Sequence, residues 1–107
     1  MTEIQIPFRP DMALACIEGK KFCTSRTKRY GMVGDTFTVT DENGWSKSFI
    51  LTKVVQRELG YVARNLFAHE GVSSPIEFTE LWKQIHPFRR SEPNQIVFVH
   101  FFQELPI

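Results

Sequence analysis

The sequence predicts an α+β domain: a small, mostly antiparallel β-barrel, partly open, with helices inserted between its strands. Three observations carry this reading. Asn43–Gly44 separates two strand patterns, "TFTVTD" and "WSKSFILTKVV", and such a pair supplies the left-handed backbone that tight hairpins need. Ser74–Pro75–Ile76–Glu77 reads as a capping box with proline at the first helical position. The apolar run "IVFVHFF" has strand length, far below the roughly 18 residues of a membrane span. A chain of 107 residues holds one modest core, so residues 1–107 are expected to form one domain.

The elements follow in order. "EIQIPF" alternates apolar and polar residues and reads as a first strand ending at Pro7–Phe8. "RPDMALACIEG" predicts a short helix capped by Asp11, with Leu14 and Ile17 on its apolar side and Gly19 closing it. Lys21 to Arg26 is expected to be a strand, "YGMVGD" a turn, and the hairpin strands come next. Leu59, Val62, Ala63, Leu66 and Phe67 then recur at helical spacing within "RELGYVARNLFAHEG". The capped helix carries Phe78, Leu81, Trp82 and Ile85 as its stripe and stops at His86–Pro87. "IVFVHFFQEL" is the last strand, and Trp45 and Trp82 are both placed in the core.

Charge is concentrated rather than abundant. The net charge is only +1, yet five of the thirteen cations (Lys20, Lys21, Arg26, Lys28, Arg29) fall in ten residues that hold no acid. The other eight face twelve acids, so the chain is a locally basic site on a mildly acidic body. That distribution fits an anionic or strongly polar small ligand, or RNA, and gives no ground for DNA specificity. Cys16 and Cys23 lack a CxxC spacing and read as reduced structural thiols. With no signal-peptide pattern at the N-terminus, a cytoplasmic, monomeric protein off the membrane is expected.

No metal or cofactor is expected either. His69, His86 and His100 have no ligand spacing, and His100, within a strand pattern, is expected to be a hydrogen-bonded structural residue. Glycine-rich phosphate loops and G-x-S-x-G elbows are absent from the sequence.

Glu70 is the residue outside the basic segment that asks most for an explanation. It continues the stripe 59, 62/63, 66/67, so spacing places a carboxylate where a core-facing group belongs. Burial and the negative end of a helix both work against its charge, so it needs a cation partner or a proton. If the helix frays before Gly71, it reaches solvent instead. Within "GKKFCTSR", period-two alternation puts Phe22, Thr24 and Arg26 on one face and Lys21, Cys23 and Ser25 on the other. Lys21 would join Thr24 and Arg26 in a common site only if the Gly19–Lys20 turn, or a bulge, redirected it. Otherwise Lys20 and Lys21 form a solvated pair beside an ordinary strand threonine.

"GKKFCTSR", followed by "YGMVGD", a helix carrying "HEG", and a late "VFVHFF", resembles the activating-signal-cointegrator homology (ASCH) domain, a PUA-like β-barrel family of about this length. The resemblance covers nearly the whole chain. Its most specific part is G-x-K-x-x-T-x-R, here Gly19, Lys21, Thr24 and Arg26. In size and layout the chain is most similar to the small N4-acetylcytidine amidohydrolases of that family. Their pattern implies Lys21 as base, Thr24 as nucleophile and Glu70 as general acid. The chain departs from them at Phe22, where that subgroup usually has threonine, and in the more basic "TKRYGMVGD".

The activity so implied is metal-independent removal of an acyl group from the exocyclic amine of a cytidine-type nucleoside. Threonine attacks only when a base takes its proton, and a lysine at its ordinary value is protonated at neutral pH. The role therefore demands surroundings that discharge the amine, and Lys20 and Arg26 are expected to help by repulsion. Lys20, Arg26, Lys28, Arg29 and Tyr30 are the expected substrate-binding residues. The same residues, with Lys21, Arg89 and Arg90, would serve an RNA-binding or nuclease-like module, a second reading that the family also contains.

Overall fold

The computed structural model describes residues 2–106. Its elements are α1 (Pro10–Ile17), β1 (Cys23–Arg26), β2 (Thr36–Thr40), β3 (Ser46–Glu58), α2 (Leu59–Asn65), α3 (Pro75–Ile85) and β4 (Ile96–Glu104). The four strands form one antiparallel sheet in the order β1-β4-β3-β2, curled into a half-barrel. β3 pairs with β2 through its first residues and with β4 from Phe49 onward. A register shift between Leu51 and Lys53 interrupts the second ladder, and irregularities of that kind bend a strand. The expected α+β half-open barrel is the observed architecture.

β4 divides the interior. Val97 and Val99 pack with Cys23, Val62, Phe78 and Trp82 under α2 and α3. Phe102, from the opposite face, packs with Phe37, Phe49, Leu51, Ala13 and Cys16 under α1. Burying both faces explains why "IVFVHFF" is apolar nearly throughout instead of alternating.

Local chemistry sets the element ends. Ser74 Oγ accepts from Glu77 N at 3.1 Å, as the capping box requires, while Glu77 Oε2 accepts from Ser73 N instead of closing on Ser74. The hairpin is wider than a two-residue turn: Gly44 N donates to Asp41 O, Asp41 N to Trp45 O, and Gly44 has φ +85°. This is the longer hairpin loop with glycine at its left-handed position.

Several expectations are corrected. "EIQIPF" makes only one parallel bridge, Glu3 to Thr36, instead of a strand. Ile6 is buried in the core, but Pro7 has no N–H for a ladder and its carbonyl goes to Arg26. α1 starts one residue before Asp11, with Arg9 at the N-cap and Pro10 first, and Asp11 Oδ1 accepts from Met12 N. Its buried side is Ala13, Ala15 and Cys16, and Leu14 faces outward. The strand expected from Lys21 begins at Cys23, and α2 ends at Asn65, well short of Gly71. Trp45 is 71% exposed, because it belongs to the hairpin loop and not to the strand. Trp82 is buried as expected.

Candidate active site

Two local structures deliver Lys21 and Glu70 to each other. After α1, Gly19 N donates to Cys16 O and Lys20 N to Ala15 O, the paired bonds of a Schellman turn. That turn reverses the chain and sends Lys21 inward before β1 begins. On the other side, the chain beyond α2 stays coiled without being a regular helix. Leu66 N bonds Val62 O, Glu70 N bonds Leu66 O at 3.0 Å, and Val72 N bonds Phe67 O. Glu70 thus keeps the angular position of the α2 stripe, as its spacing foretold, although the helix has ended. His69 O accepts from both Phe22 N and Cys23 N, tying this coil to the start of β1. Gly71 has φ +90°, a backbone conformation that favours glycine, and a Cβ there would lie 3.2 Å from Lys21 Cβ, closer than an ordinary contact.

Lys21 and Glu70 are each 4% exposed. Lys21 Nζ donates to Glu70 Oε1 at 2.9 Å and to the Glu70 carbonyl oxygen at 2.9 Å. Ser25 Oγ donates to the remaining carboxylate oxygen, Oε2, at 2.6 Å. Glu70 therefore has the cation partner that a buried carboxylate needs, and the solvent-facing alternative does not hold. The expected mutual repulsion of cations around Lys21 is also corrected. Lys20 turns out to solvent and pairs with Glu18 at 3.4 Å, so the group against Lys21 is a carboxylate.

Thr24 and Arg26 occupy the other face of β1, as alternation required. Thr24 is 3% exposed. Arg26 Nε donates to Thr24 Oγ1 at 3.0 Å and Nη2 to Pro7 O at 2.7 Å. The Arg26 guanidinium lies 5.0 Å from the Phe8 ring centre and 5.4 Å from that of Tyr30, each contact worth on the order of 1 kcal/mol. Burial lowers the Arg26 guanidinium from its ordinary value, with the facing Tyr30 hydroxyl working the other way.

Because β1 is a short edge strand, one cavity reaches both of its faces. The cavity has a volume of about 220 Å³ and is lined by Lys21, Thr24, Ser25, Arg26 and Glu70. Phe8 and Tyr30 form part of its wall, Phe78 and Trp82 of α3 another part, and His86, its ring centre 4.3 Å from that of Trp82 and tilted to it, a further part. The structure thus brings Lys21, Thr24, Glu70, Arg26 and Tyr30 to one concavity. Lys20, Lys28 and Arg29 are not on its wall. Lys28 Nζ lies over the outer Tyr30 ring at 5.0 Å, and Arg29 Nε bonds Gly31 O. Phe22, the departure from the subgroup pattern, is half exposed and turned away from the cavity, edge-on to His69.

Ser25 is the site residue that sequence reasoning missed. Alternation had placed it on the Lys21 face, and that was the available signal. Among the described residues, no group of three or more His, Cys, Asp and Glu side chains could hold a metal ion. Both cysteines are free and buried. Burial pushes the Cys16 thiol up to about 11 and raises that of Cys23 as well.

His100 is wholly buried and braces the floor. Tyr30 N donates to its Nε2 at 3.0 Å, so Nδ1 carries the proton and donates to Thr24 O at 3.2 Å. Protonating Nε2 would set one N–H against another. Burial accordingly lowers the His100 imidazole from its ordinary value. The unfolded chain therefore binds a proton that the folded chain refuses, and stability is lost as pH falls below about 6.5. The loss approaches about 1.4 kcal/mol per pH unit and levels off once the folded ring takes the proton. Urea unfolding of wild type and His100→Gln across pH 7 to 5 should show a shallower slope in the variant. Equal slopes would refute this assignment.

No family model matches the sequence, and no curated protein matches it. Solved structures do match. An ASCH domain from Lactobacillus crispatus JV V101 superposes with a TM-score of 0.68 at 13% identity, covering 96% of this chain and 78% of that one. Protein EF3133 from Enterococcus faecalis V583, of the family DUF984, gives 0.69 at 13% identity, covering 97% and 75%. The hypothetical protein PH0355 gives 0.65 at 14% identity, covering 97% and 96%. No helix among the described residues is long and apolar enough to cross a membrane. The helices, the curled antiparallel sheet and these superpositions give one conclusion: the chain has an ASCH-like fold.

Proposed function

We propose that the protein is an amidohydrolase that removes an acyl group from the exocyclic amine of a cytidine-type nucleoside. The observation that carries the reading is the buried Lys21–Glu70 pair opening onto the same cavity as Thr24. A buried ion pair is a poor stabilising device, since apolar residues of the same volume usually do as well. Its value here is chemical. One proton moved from Nζ to Oε1 across 2.9 Å turns the ion pair into a neutral amine beside a neutral acid. Those are the two states that a base and a general acid require.

In the reaction, Thr24 Oγ1 attacks the acyl carbonyl and its proton passes to Lys21. The carbonyl π electrons move to oxygen, where Arg26, held by Pro7 and the two rings, supplies positive charge. The C–N bond then breaks, the amine takes the proton kept by Glu70, and water releases the acyl group from Thr24 as a carboxylic acid. The cavity, about 220 Å³, is below the ~300–1,000 Å³ typical of drug-sized ligands and suits one flat base. Phe8, Tyr30 and Trp82 offer it aromatic surface, and stacking contributes about 1–3 kcal/mol per base. No cofactor enters this scheme.

The alternative, an RNA-binding module, draws on the exposed cations Lys28, Arg29, Arg89 and Arg90 and on Phe88, which is fully exposed. Ionic strength separates the two. Release of cytidine from N4-acetylcytidine, followed by chromatography, should be nearly constant between 50 and 300 mM salt, because the substrate is neutral. Absence of turnover together with RNA binding that weakens steeply over that range would replace the hydrolase reading with the RNA-binding one.

A further inference from the structure

Both oxygens of Glu70 are occupied before any substrate arrives. Oε1 holds Lys21, Oε2 holds Ser25, and the carboxylate lies almost wholly out of solvent. Ser25 lines the cavity beside Glu70, and its hydroxyl donates to Oε2 at 2.6 Å. We propose that Ser25 is a further catalytic residue, the relay that passes the Glu70 proton to the departing nitrogen. The proposal rests on the hydrolase reading above and names the route its last proton takes.

The step balances. As the C–N bond of the tetrahedral adduct breaks, its electron pair stays on nitrogen and takes the proton of Ser25 Oγ. The proton that Glu70 received at Oε1 comes to Oε2 by a half-turn of the carboxyl group, Ser25 Oγ takes it there, and the oxyanion reforms the carbonyl of the acyl-threonine. Ser25 ends as the hydroxyl it began as, and Glu70 ends as a carboxylate paired with Lys21. A serine is fitted to this because its oxygen accepts one proton while donating another. Alanine removes the relay, whereas threonine keeps a hydroxyl at the same place.

Leaving-group dependence tests the relay. An exocyclic amine cannot leave without a proton, but nitrophenolate can. Wild type, Ser25→Ala and Ser25→Thr are assayed on N4-acetylcytidine and on p-nitrophenyl acetate, with thermal melts confirming the fold. Ser25→Ala should lose about 10²–10³-fold on the amide, the scale of general acid catalysis, and less than about 5-fold on the ester. Ser25→Thr should regain much of the amide activity. Equal losses on both substrates would make Ser25 merely structural and overturn the relay, as would unchanged amide turnover. Wild type inactive on both substrates would instead remove the hydrolase reading, and the relay with it.

Discussion

Lys21→Met is expected to lower the unfolding free energy by about 3–5 kcal/mol and to abolish turnover, the scale on which removing one partner of a buried ion pair acts. The substitution keeps the length of the side chain but leaves Glu70 Oε1 and the Glu70 carbonyl oxygen without their donor in a buried site. Ser25 still donates to Oε2 and cannot turn to both. The double variant Lys21→Met/Glu70→Leu should recover most of the stability, because no charge is then stranded, and none of the activity. Urea unfolding of the two single variants and the double one forms a thermodynamic cycle with an interaction term of several kcal/mol. A Lys21→Met protein within about 1 kcal/mol of wild type, or a double variant no better than the single, would mean that the pair is not the buried unit described above.

Thr24→Val is the complementary case: a large kinetic effect with a small structural one. Valine matches the shape of threonine, so the edge strand and its pairing to β4 should persist. The one bond lost is that from Arg26 Nε to Oγ1, and leaving this donor without a partner costs about 1–2 kcal/mol. Turnover of N4-acetylcytidine should fall by at least about 10³-fold, because water must replace the covalent step. Thr24→Ser keeps the hydroxyl and should retain measurable activity. If Thr24→Val retains more than about a tenth of wild-type turnover, Thr24 is not the nucleophile, and Ser25, the other hydroxyl on that wall, becomes the candidate. Together these variants separate what holds the cavity from what reacts in it.

Much of the fold was legible because local signals and burial agreed. The glycine of the hairpin, the Ser74 cap and the apolar β4 run each describe a short-range preference that the tertiary structure also uses. Where the two diverged, the reading failed for identifiable reasons. "EIQIPF" alternates like a strand, yet its proline and the loan of the Pro7 carbonyl to Arg26 leave it one bridge. Trp45 fits a strand face and so reads as core, but it belongs to the hairpin loop and is exposed there.

Glu70 was placed inward by its spacing although α2 stops five residues earlier, since the turns after Asn65 keep nearly the same rotation. Its pairing with Lys21, across 49 residues, is a tertiary fact that no local pattern encodes. Ser25 was overlooked for a related reason. The motif drew attention to Thr24 and Arg26, whereas alternation alone had already put Ser25 beside Lys21. The departure at Phe22 also reads differently in three dimensions, because that side chain points away from the cavity and leaves it intact.

The central claim is covalent chemistry at Thr24, and a quenched-flow experiment reaches it most directly. Protein mixed with excess N4-acetylcytidine, stopped in acid within the first turnover and digested, is mapped by mass spectrometry. One acetyl group on the peptide containing Thr24, localised to that residue and missing from Thr24→Val, is the predicted result. Cytidine release with no acyl-protein at any time, or an adduct on a residue other than Thr24, would contradict it.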